Sequence, residues 1–345
     1  MHADNARGAL LGMAMGDALG LPAEYHRHAR AGWGRSVLWE KNTVLDEQRI
    51  SRPMLPFGLS GGSGGLLSGT DDVETAATTA LVLLESRDHG TNTLFEGWRK
   101  HYVETDDVWC GIAERGAVRH ALRGERPPVT GSDNPVYWDD GAVASAVPIG
   151  VLYAGDPANA ARVAQDYARI THSRDGVWAA RAMAHAVAAL IGGEFLEPAL
   201  QEAELTVPAD SWLRRGLERA AEAAEGADTA FEAIPALVES FGRPVYSHGG
   251  VAPETLPLAF TLTRLVRGDL AAGLQAAALL PRQSDSLPAM VGALCGAIDG
   301  EKAVPADWAA QVDPVSGVLL PGVAGQRLTS LADRLLEARE RFALA

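Results

Sequence analysis

Cysteines and aromatic residues are scarce in this 345-residue chain, and its apolar residues form no long uninterrupted run. The two cysteines, Cys110 and Cys295, lack CxxC spacing and zinc-type neighbours, so we expect reduced thiols in the core. No run is long and apolar enough to cross a bilayer, so no membrane contact is expected. The N-terminal stretch is broken by glycines and Asp17, which makes a poor signal peptide, and we expect a cytoplasmic protein.

An excess of basic residues is also missing, since the formal net charge is −14. A protein that binds nucleic acid regardless of sequence needs a basic surface to displace counterions, so we expect no nucleic-acid partner. A cleft lined with carboxylates would repel a phosphate-bearing small ligand unless a cation lay between them. The charge therefore points mildly towards a divalent metal, although solubility alone also explains it.

Helical periodicity dominates what is present. Hydrophobic residues make up 47% of the chain and aromatics only 6%, so Ala, Leu and Val carry the apolar content, which favours packed helices over strands. No Pro- or Ser-rich linker and no internal repeat divides the chain. We therefore predict an all-α fold, a compact helical bundle forming a single domain over residues 1–345. The predicted helices are Ala6–Leu21, Val73–Glu85, Trp109–Leu122, Ala142–Tyr153, Ala158–Ile170, Val177–Ile191, Ser211–Ala224, Ala230–Phe241, Glu254–Arg267, Leu270–Leu280, Leu287–Ile298 and Arg327–Phe342.

Two clusters of side-chain oxygens precede predicted helices. Thr70, Asp71 and Asp72 stand just before one helix, and Asp285 and Ser286 stand just before another, far downstream. Oxygen ligands suit a hard cation such as Mg²⁺, and two such helix starts facing each other across a cleft can share a metal. The alternative is ordinary helix capping, in which Thr70 is an N-cap and the aspartates complement the helix dipole.

Several motifs, dispersed but in one order, resemble those of the ADP-ribosylglycohydrolases. An ordered set of motifs is more specific than any single motif. The segments that carry the resemblance are Gly12–Glu24, Thr70–Asp72, Asp140–Pro148, Ile170–Gly176 and Arg282–Gly300.

The resemblance implies an α-helical hydrolase whose metal centre, with one or two Mg²⁺ (or Mn²⁺) ions, is assembled from both ends of the chain. It also implies roles for individual side chains at matching positions. The implied metal ligands are Thr70, Asp71, Asp72, Asp285 and Ser286; the implied acid/base residues are Glu24 and Asp107; the implied substrate-binding residues are Asp140, Gly141, Ser145 and His172.

Two departures from the family pattern affect the expected substrate and metal. Gln283 stands where the family has Asp, and a neutral amide is a weaker Mg²⁺ ligand, so one ion is as well supported as two. Ser145 occupies the place of an Arg, and the loss of that Arg removes a planar anion partner. We therefore favour a small N-ribosyl metabolite or nucleotide conjugate over an ADP-ribosylated protein as substrate.

The sequence thus predicts a metal-dependent glycoside hydrolase that cleaves the anomeric, N-ribosyl bond of an ADP-ribosyl or related conjugate. Two alternatives remain open. Gln283 favours a catalytically inactive member that binds a ribosyl ligand or has a structural role. A metal-dependent phosphohydrolase would use the same oxygen ligands and would release free phosphate.

Overall fold

The computed structural model describes residues 2–28, 69–241, 250–280 and 286–343, excluding the side chains of residues 21–28 and 340–343. Within these ranges the chain forms α-helices and short 3₁₀ turns and no β-strand, which confirms the predicted all-α fold. The helices are α1 (His2–His28), α2 (Asp71–Glu85), α3 (Thr91–Tyr102), α4 (Ile112–Leu122), α5 (Val129–Ser132), α6 (Gly141–Leu152), α7 (Pro157–Ala168), α8 (Asp175–Gly192), α9 (Leu196–Leu205), α10 (Trp212–Ala223), α11 (Ala230–Phe241), α12 (Ala252–Leu265), α13 (Leu270–Ala277), α14 (Ser286–Asp299), α15 (Ala306–Val312) and α16 (Leu328–Ala343).

Local side-chain chemistry explains where several helices begin and end. The carboxylate of Asp156 accepts a hydrogen bond from Asn159 N (3.2 Å) at the start of α7. Ser211 caps α10 in the same way, with 2.9 Å between its Oγ and Arg214 N. These caps satisfy backbone N–H groups that have no partner within the helix. At the other end of a helix, Gly193 adopts a left-handed conformation (φ 94°) directly after α8, where a side chain would be strained.

Helices α6 and α8 lie at the centre of the molecule. Every residue of α6 from Ala142 to Leu152 is buried. In α8 the interior positions are mostly alanines, and these are buried as well. A helix that is apolar on all sides must be covered on all sides, so the remaining helices pack around this pair.

The first helix and α14 approach each other closely along a line of glycines. A Cβ atom at Gly12 would lie 2.2 Å from the carbonyl oxygen of Gly292, and one at Gly16 would lie 2.0 Å from that of Pro288. Neither distance is sterically allowed, so only glycine permits this contact between the backbones. The contact brings the C-terminal part of α1 against the start of α14, although the two segments lie at opposite ends of the sequence.

The two ends of the chain are also joined by an ion pair. Arg7 of α1 donates to both carboxylate oxygens of Asp333 in α16, at 2.8 and 2.7 Å. Such two-point contacts fix the orientation of both side chains. None of the helices in the described ranges combines the length and apolarity that a bilayer crossing requires.

Candidate functional site

The carboxylate of Asp17, on α1, holds the start of α2. Asp17 is fully buried and accepts hydrogen bonds from Thr70 N (2.6 Å), Thr70 Oγ1 (2.5 Å) and Val73 N (3.3 Å). Thr70 stands at the N-cap position of α2, but its side chain makes no capping hydrogen bond. The interpretation of Thr70 as a side-chain cap is therefore wrong, because a residue of another helix does the capping.

Asp72 and Ser286 line one cavity of about 10 Å³, room for about one water or ion, together with Val143 and Ala144 of α6. Asp72 is buried in the first turn of α2, and Ser286 begins α14. The two oxygen clusters predicted from sequence are thus brought together through these two residues. The close α1–α14 contact causes this, since α1 carries Asp17, which fixes α2, and packs against α14.

The predicted substrate-binding segment at the start of α6 adjoins this cavity. Asp140 and Ser145 are both buried, and Ala144, next to Ser145, lines the cavity with Asp72. The N–H group of Gly141 donates to Asp139 Oδ1 at 2.8 Å. The structure therefore places the predicted segment of α6 next to the predicted metal-binding segment of α2.

A buried group of titratable side chains surrounds His172. Its Nδ1 lies 2.7 Å from Thr171 Oγ1, and its Nε2 lies 3.6 Å from Asp139 Oδ1. Glu114 of α4 approaches the same place, because a Cβ on Gly141 would lie 3.2 Å from both Glu114 Oε1 and Asp139 Oδ1. A glycine at position 141 thus allows two carboxylates to approach the N-terminus of α6.

The surroundings shift the pKa values of this cluster. Burial raises the pKa of Glu114, and the nearby His172 only partly offsets that effect. Burial by itself would lower the pKa of His172, but the carboxylates of Asp139 and Glu114 outweigh it and raise that pKa above its usual value. The cluster therefore favours a protonated His172 beside Asp139, while Glu114 keeps its proton to higher pH than an exposed glutamate does.

Glu74, two residues after Asp72, has a different role. Its Oε1 accepts hydrogen bonds from Ser316 Oγ (2.7 Å) and Val318 N (2.8 Å). Its Oε2 accepts from Leu319 N (2.9 Å) and Leu320 N (2.7 Å). The side chain is fully used in anchoring a distant loop to α2 and is not a candidate ligand.

The remaining predicted residues are not joined to this site by described contacts. Asp107 lies on an exposed loop in a left-handed conformation (φ 59°), and among the described residues it lines neither the Asp72 cavity nor the His172 cluster. The side chain of Glu24, on α1, and the residues Gln283 and Asp285 lie outside the described residues. Their predicted roles stay predictions.

The described part of the predicted metal-ligand set fits a hard cation. Thr70, Asp71, Asp72 and Ser286 offer only oxygen atoms, as Mg²⁺ prefers. Thr70 Oγ1 lies 2.5 Å from Asp17 Oδ1 and 3.1 Å from Asp71 Oδ1, so three side-chain oxygens stand close together here. Across the described residues no three His, Cys, Asp or Glu side chains converge as a metal centre, and the predicted set includes Asp285, which is outside them.

The sequence analysis missed Asp17, Glu114 and Asp139. Asp17 falls within the opening motif, but its capping of α2 depends on a contact between distant segments. Glu114 carried a usable signal, since it shares a face of α4 with the buried residues Ala117 and Ala121. A glutamate on an apolar helix face is rarely buried unless a partner or a function keeps it there.

Comparison with known proteins agrees with this architecture. The family model described as ADP-ribosylglycohydrolase matches residues 1–343. An uncharacterized protein of Archaeoglobus fulgidus is 28% identical over 311 residues, which cover 88% of this chain and 89% of that protein. A solved structure of an ADP-ribosylglycohydrolase-related protein complex superposes with a TM-score of 0.61 at 25% identity, covering 98% of this chain and 99% of the other. The chain belongs to the ADP-ribosylglycohydrolase family.

Proposed function

We propose that this protein is a Mg²⁺-dependent glycohydrolase that cleaves the N-ribosyl bond of a small ADP-ribosyl or related nucleotide conjugate in the cytoplasm. Family membership supports the glycohydrolase class. The observation that supports the metal-dependent form is that Asp72 and Ser286, from distant segments, meet at one cavity of about 10 Å³ beside the start of α6. A modified protein is a weaker candidate substrate because Ser145 replaces the Arg expected at that position.

The chain's own residues supply binding and charge. Thr70, Asp71, Asp72 and Ser286 would hold the ion, with Asp285 completing the set. When bound, a divalent ion orients hydroxyl groups of the ribose and lowers the pKa of nearby water. Asp140, Gly141 and Ser145, at the start of α6, bind the conjugate next to it.

Hydrolysis needs proton transfer around a positively charged, oxocarbenium-like state. A water oxygen bonds to the anomeric carbon, the ribosyl C–N bond breaks, and a proton passes to the leaving nitrogen. We assign the acid/base role to Glu24, since Asp107 lies on an exposed loop and lines neither the Asp72 cavity nor the His172 cluster of the described residues. The imidazolium of His172, kept charged by Asp139 and Glu114, contacts the ligand as a hydrogen-bond donor.

A mass-spectrometric screen tests the proposal. The purified protein is incubated with ADP-ribosyl-arginine, ADP-ribosyl-serine and NAD-derived nucleotides, with and without Mg²⁺. We expect release of a free ribosyl product from at least one nucleotide conjugate only when Mg²⁺ is present. Release of inorganic phosphate instead would indicate a phosphohydrolase, and binding without any product would indicate an inactive ligand-binding member.

A further inference from the structure

A separate cleft of about 670 Å³ opens between the starts of α3 and α8 and the end of α7. Its volume falls in the range of sites that bind small molecules. Its walls include hydrogen-bonding side chains from Asn92, Gln165 and Ser173. His172, whose side chain belongs to the cluster with Asp139, is also among its lining residues, but none of them lines the cavity of Asp72 and Ser286.

Two arginines line this cleft and a third lies close to it. Arg169 and Arg174 line it and are exposed. Arg181 lies one helical turn beyond the lining residue Val177 on α8 and is half-buried. Burial lowers the pKa of Arg181, and the positive charge of Arg169 lowers it further, so these guanidinium groups repel one another.

Carboxylates near these arginines do not neutralise them. Among the described residues neither Arg174 nor Arg181 has an acidic partner within ion-pair distance, and Arg169 reaches only Asp166, at 3.8 Å. Asp166 is shared with Arg162, at 3.5 Å.

Other exposed arginines among the described residues, such as Arg119 and Arg123, also lack an ion pair. What distinguishes the three arginines described above is that they gather at one cleft. The chain has 44 acidic and 30 Lys or Arg residues, so carboxylates are in excess. Some arginines form ion pairs with these carboxylates: Arg7 pairs with two of them, and Arg264 pairs with two others. A group of like charges beside a cleft, with one shared carboxylate within ion-pair distance, is suited to an anionic ligand.

The chemistry of the walls narrows the class of anion. A guanidinium group presents several N–H donors in a plane that matches the oxygens of a phosphate. Trp178, half-buried, also lines the cleft and offers an aromatic surface to a flat ring. We propose that this cleft is a second ligand site that binds a small nucleoside phosphate. Arg169 and Arg174 donate to the phosphate, and Trp178 contacts the base.

Titration calorimetry with three probes tests this site on the full-length protein. The probes are adenosine 5′-monophosphate, inorganic phosphate and adenosine, each without added Mg²⁺. We expect the monophosphate to bind and adenosine to bind at least about tenfold more weakly, since charge-assisted hydrogen bonds are lost. Inorganic phosphate that binds as tightly as the monophosphate would support the arginine site and restrict it to the phosphate group. Adenosine that binds as tightly would overturn the proposal.

Variants separate this cleft from the catalytic cavity. The double variant Arg169→Gln/Arg174→Gln should lose about tenfold or more in affinity for the monophosphate. The control Arg334→Gln removes an exposed arginine of α16 and should bind as wild type. Asp72→Asn should also retain binding. Loss in Asp72→Asn with retention in the double variant would place the probe at the other cavity and overturn the proposal, as would equal loss in Arg334→Gln.

Salt dependence provides a test that needs no variant. Affinity of the wild type for the monophosphate should fall as ionic strength rises, because exposed guanidinium groups are screened. Affinity that is constant with salt would contradict a site built on Arg169 and Arg174. The result is independent of hydrolase activity, so failure of this site and failure of the proposed function are distinguishable.

Discussion

Two buried glutamates of this protein have opposite surroundings. Glu74 is 1% exposed and accepts four hydrogen bonds from the loop around Val318. Glu114 is 8% exposed and accepts no hydrogen bond from another described residue. It lies instead beside His172 and Asp139, and burial raises its pKa.

The number of hydrogen bonds that each carboxylate accepts indicates which of the two glutamates has a structural role. A buried carboxylate with four donors is compensated for the water it has lost, whereas one without donors costs stability. Glu74 ties a loop to α2. The desolvation of the Glu114 carboxylate lowers the free energy of unfolding, and no hydrogen bond from another described residue offsets this effect. Such uncompensated burial is typical of residues at functional sites. The same contrast separates Glu74 from Asp72, two residues earlier on α2, which lines a cavity.

The largest expected effect follows from substituting Asp72, the member of α2 that faces the cavity. Asp72→Asn keeps the shape and removes the charge, so we expect turnover to fall at least roughly a hundredfold. Stabilisation of the fold by Mg²⁺ should disappear with it, since a bound ion adds stability by mass action. Steady-state kinetics and thermal unfolding with and without Mg²⁺ measure both effects.

The control for that variant is Asp307→Asn, which changes an exposed aspartate in the first turn of another helix, α15. It should leave both activity and the Mg²⁺ effect unchanged. Activity retained in Asp72→Asn would remove Asp72 from the metal ligands and with it the proposed metal site.

Replacing Glu74 should affect stability instead of chemistry. In Glu74→Gln one acceptor oxygen becomes an NH₂ group that faces at least one backbone N–H donor in either orientation of the amide, so the free energy of unfolding should drop by roughly 3 kcal/mol. Urea denaturation monitored by circular dichroism measures the drop. Glu85→Gln, at the exposed end of the same helix, removes a surface ion pair with Lys100 and should change stability by less than about 1 kcal/mol. Equal stabilities of the two variants would contradict the structural role of Glu74.

Glu114→Gln should change pH dependence more than stability. The amide removes a negative charge beside His172, so the pKa of His172 should fall and the alkaline limb of kcat/KM should move to lower pH. The free energy of unfolding should change by no more than about 1 kcal/mol, because Glu114 has no hydrogen bonds from other described residues to lose. Glu218→Gln, an exposed change on α10, is the control. An alkaline limb that stays in place would show that Glu114 does not act through His172.

Much of the fold was predictable from sequence because apolar periodicity is local information. The predicted helix Val73–Glu85 corresponds to α2, and Val177–Ile191 lies within α8. The helices α3, α5, α9 and α15 were missed. In α3 the residues Leu94, Trp98 and Tyr102 are buried at helical spacing, but polar residues separate them and the helix has no side-chain N-cap. A short helix with few apolar residues is stabilised mainly by the surface against which it packs, and the sequence does not show that surface.

The site was predictable only where a motif marked it. The structure brings Asp72 and Ser286, two of the predicted metal ligands, to one cavity. The capping of α2 by Asp17 was not predictable, because it depends on the approach of α1 and α14 at Gly12 and Gly16. Apolar periodicity predicts which face of a helix is buried, but it does not predict which distant carboxylate will contact the start of that helix.

The smallest expected effect is a change in how stability depends on pH. Both Glu114 and His172 have pKa values in the folded protein above their ordinary values. For each residue, at a pH between its pKa in the unfolded chain and its higher pKa in the folded protein, the folded state holds a proton that the unfolded chain has released. The free energy of unfolding therefore decreases as the pH rises through that interval. For Glu114 the decrease begins near the ordinary carboxyl pKa of about 4.3, and for His172 it begins near about 6.5.

The wild type should therefore lose stability more steeply than Glu114→Gln as the pH is raised from about 5 to about 8. The variant lacks the titrating carboxyl group of Glu114, and its His172 has lost one of the charges that raise the pKa of the imidazole. The folded and unfolded states of the variant therefore differ less in the number of protons that they bind. Urea denaturation of both proteins across this pH range gives the two slopes, with Glu218→Gln expected to follow the wild type. Parallel curves for all three proteins would mean that Glu114 titrates alike in the folded and unfolded chain, and its contrast with Glu74 would then be one of hydrogen bonding alone.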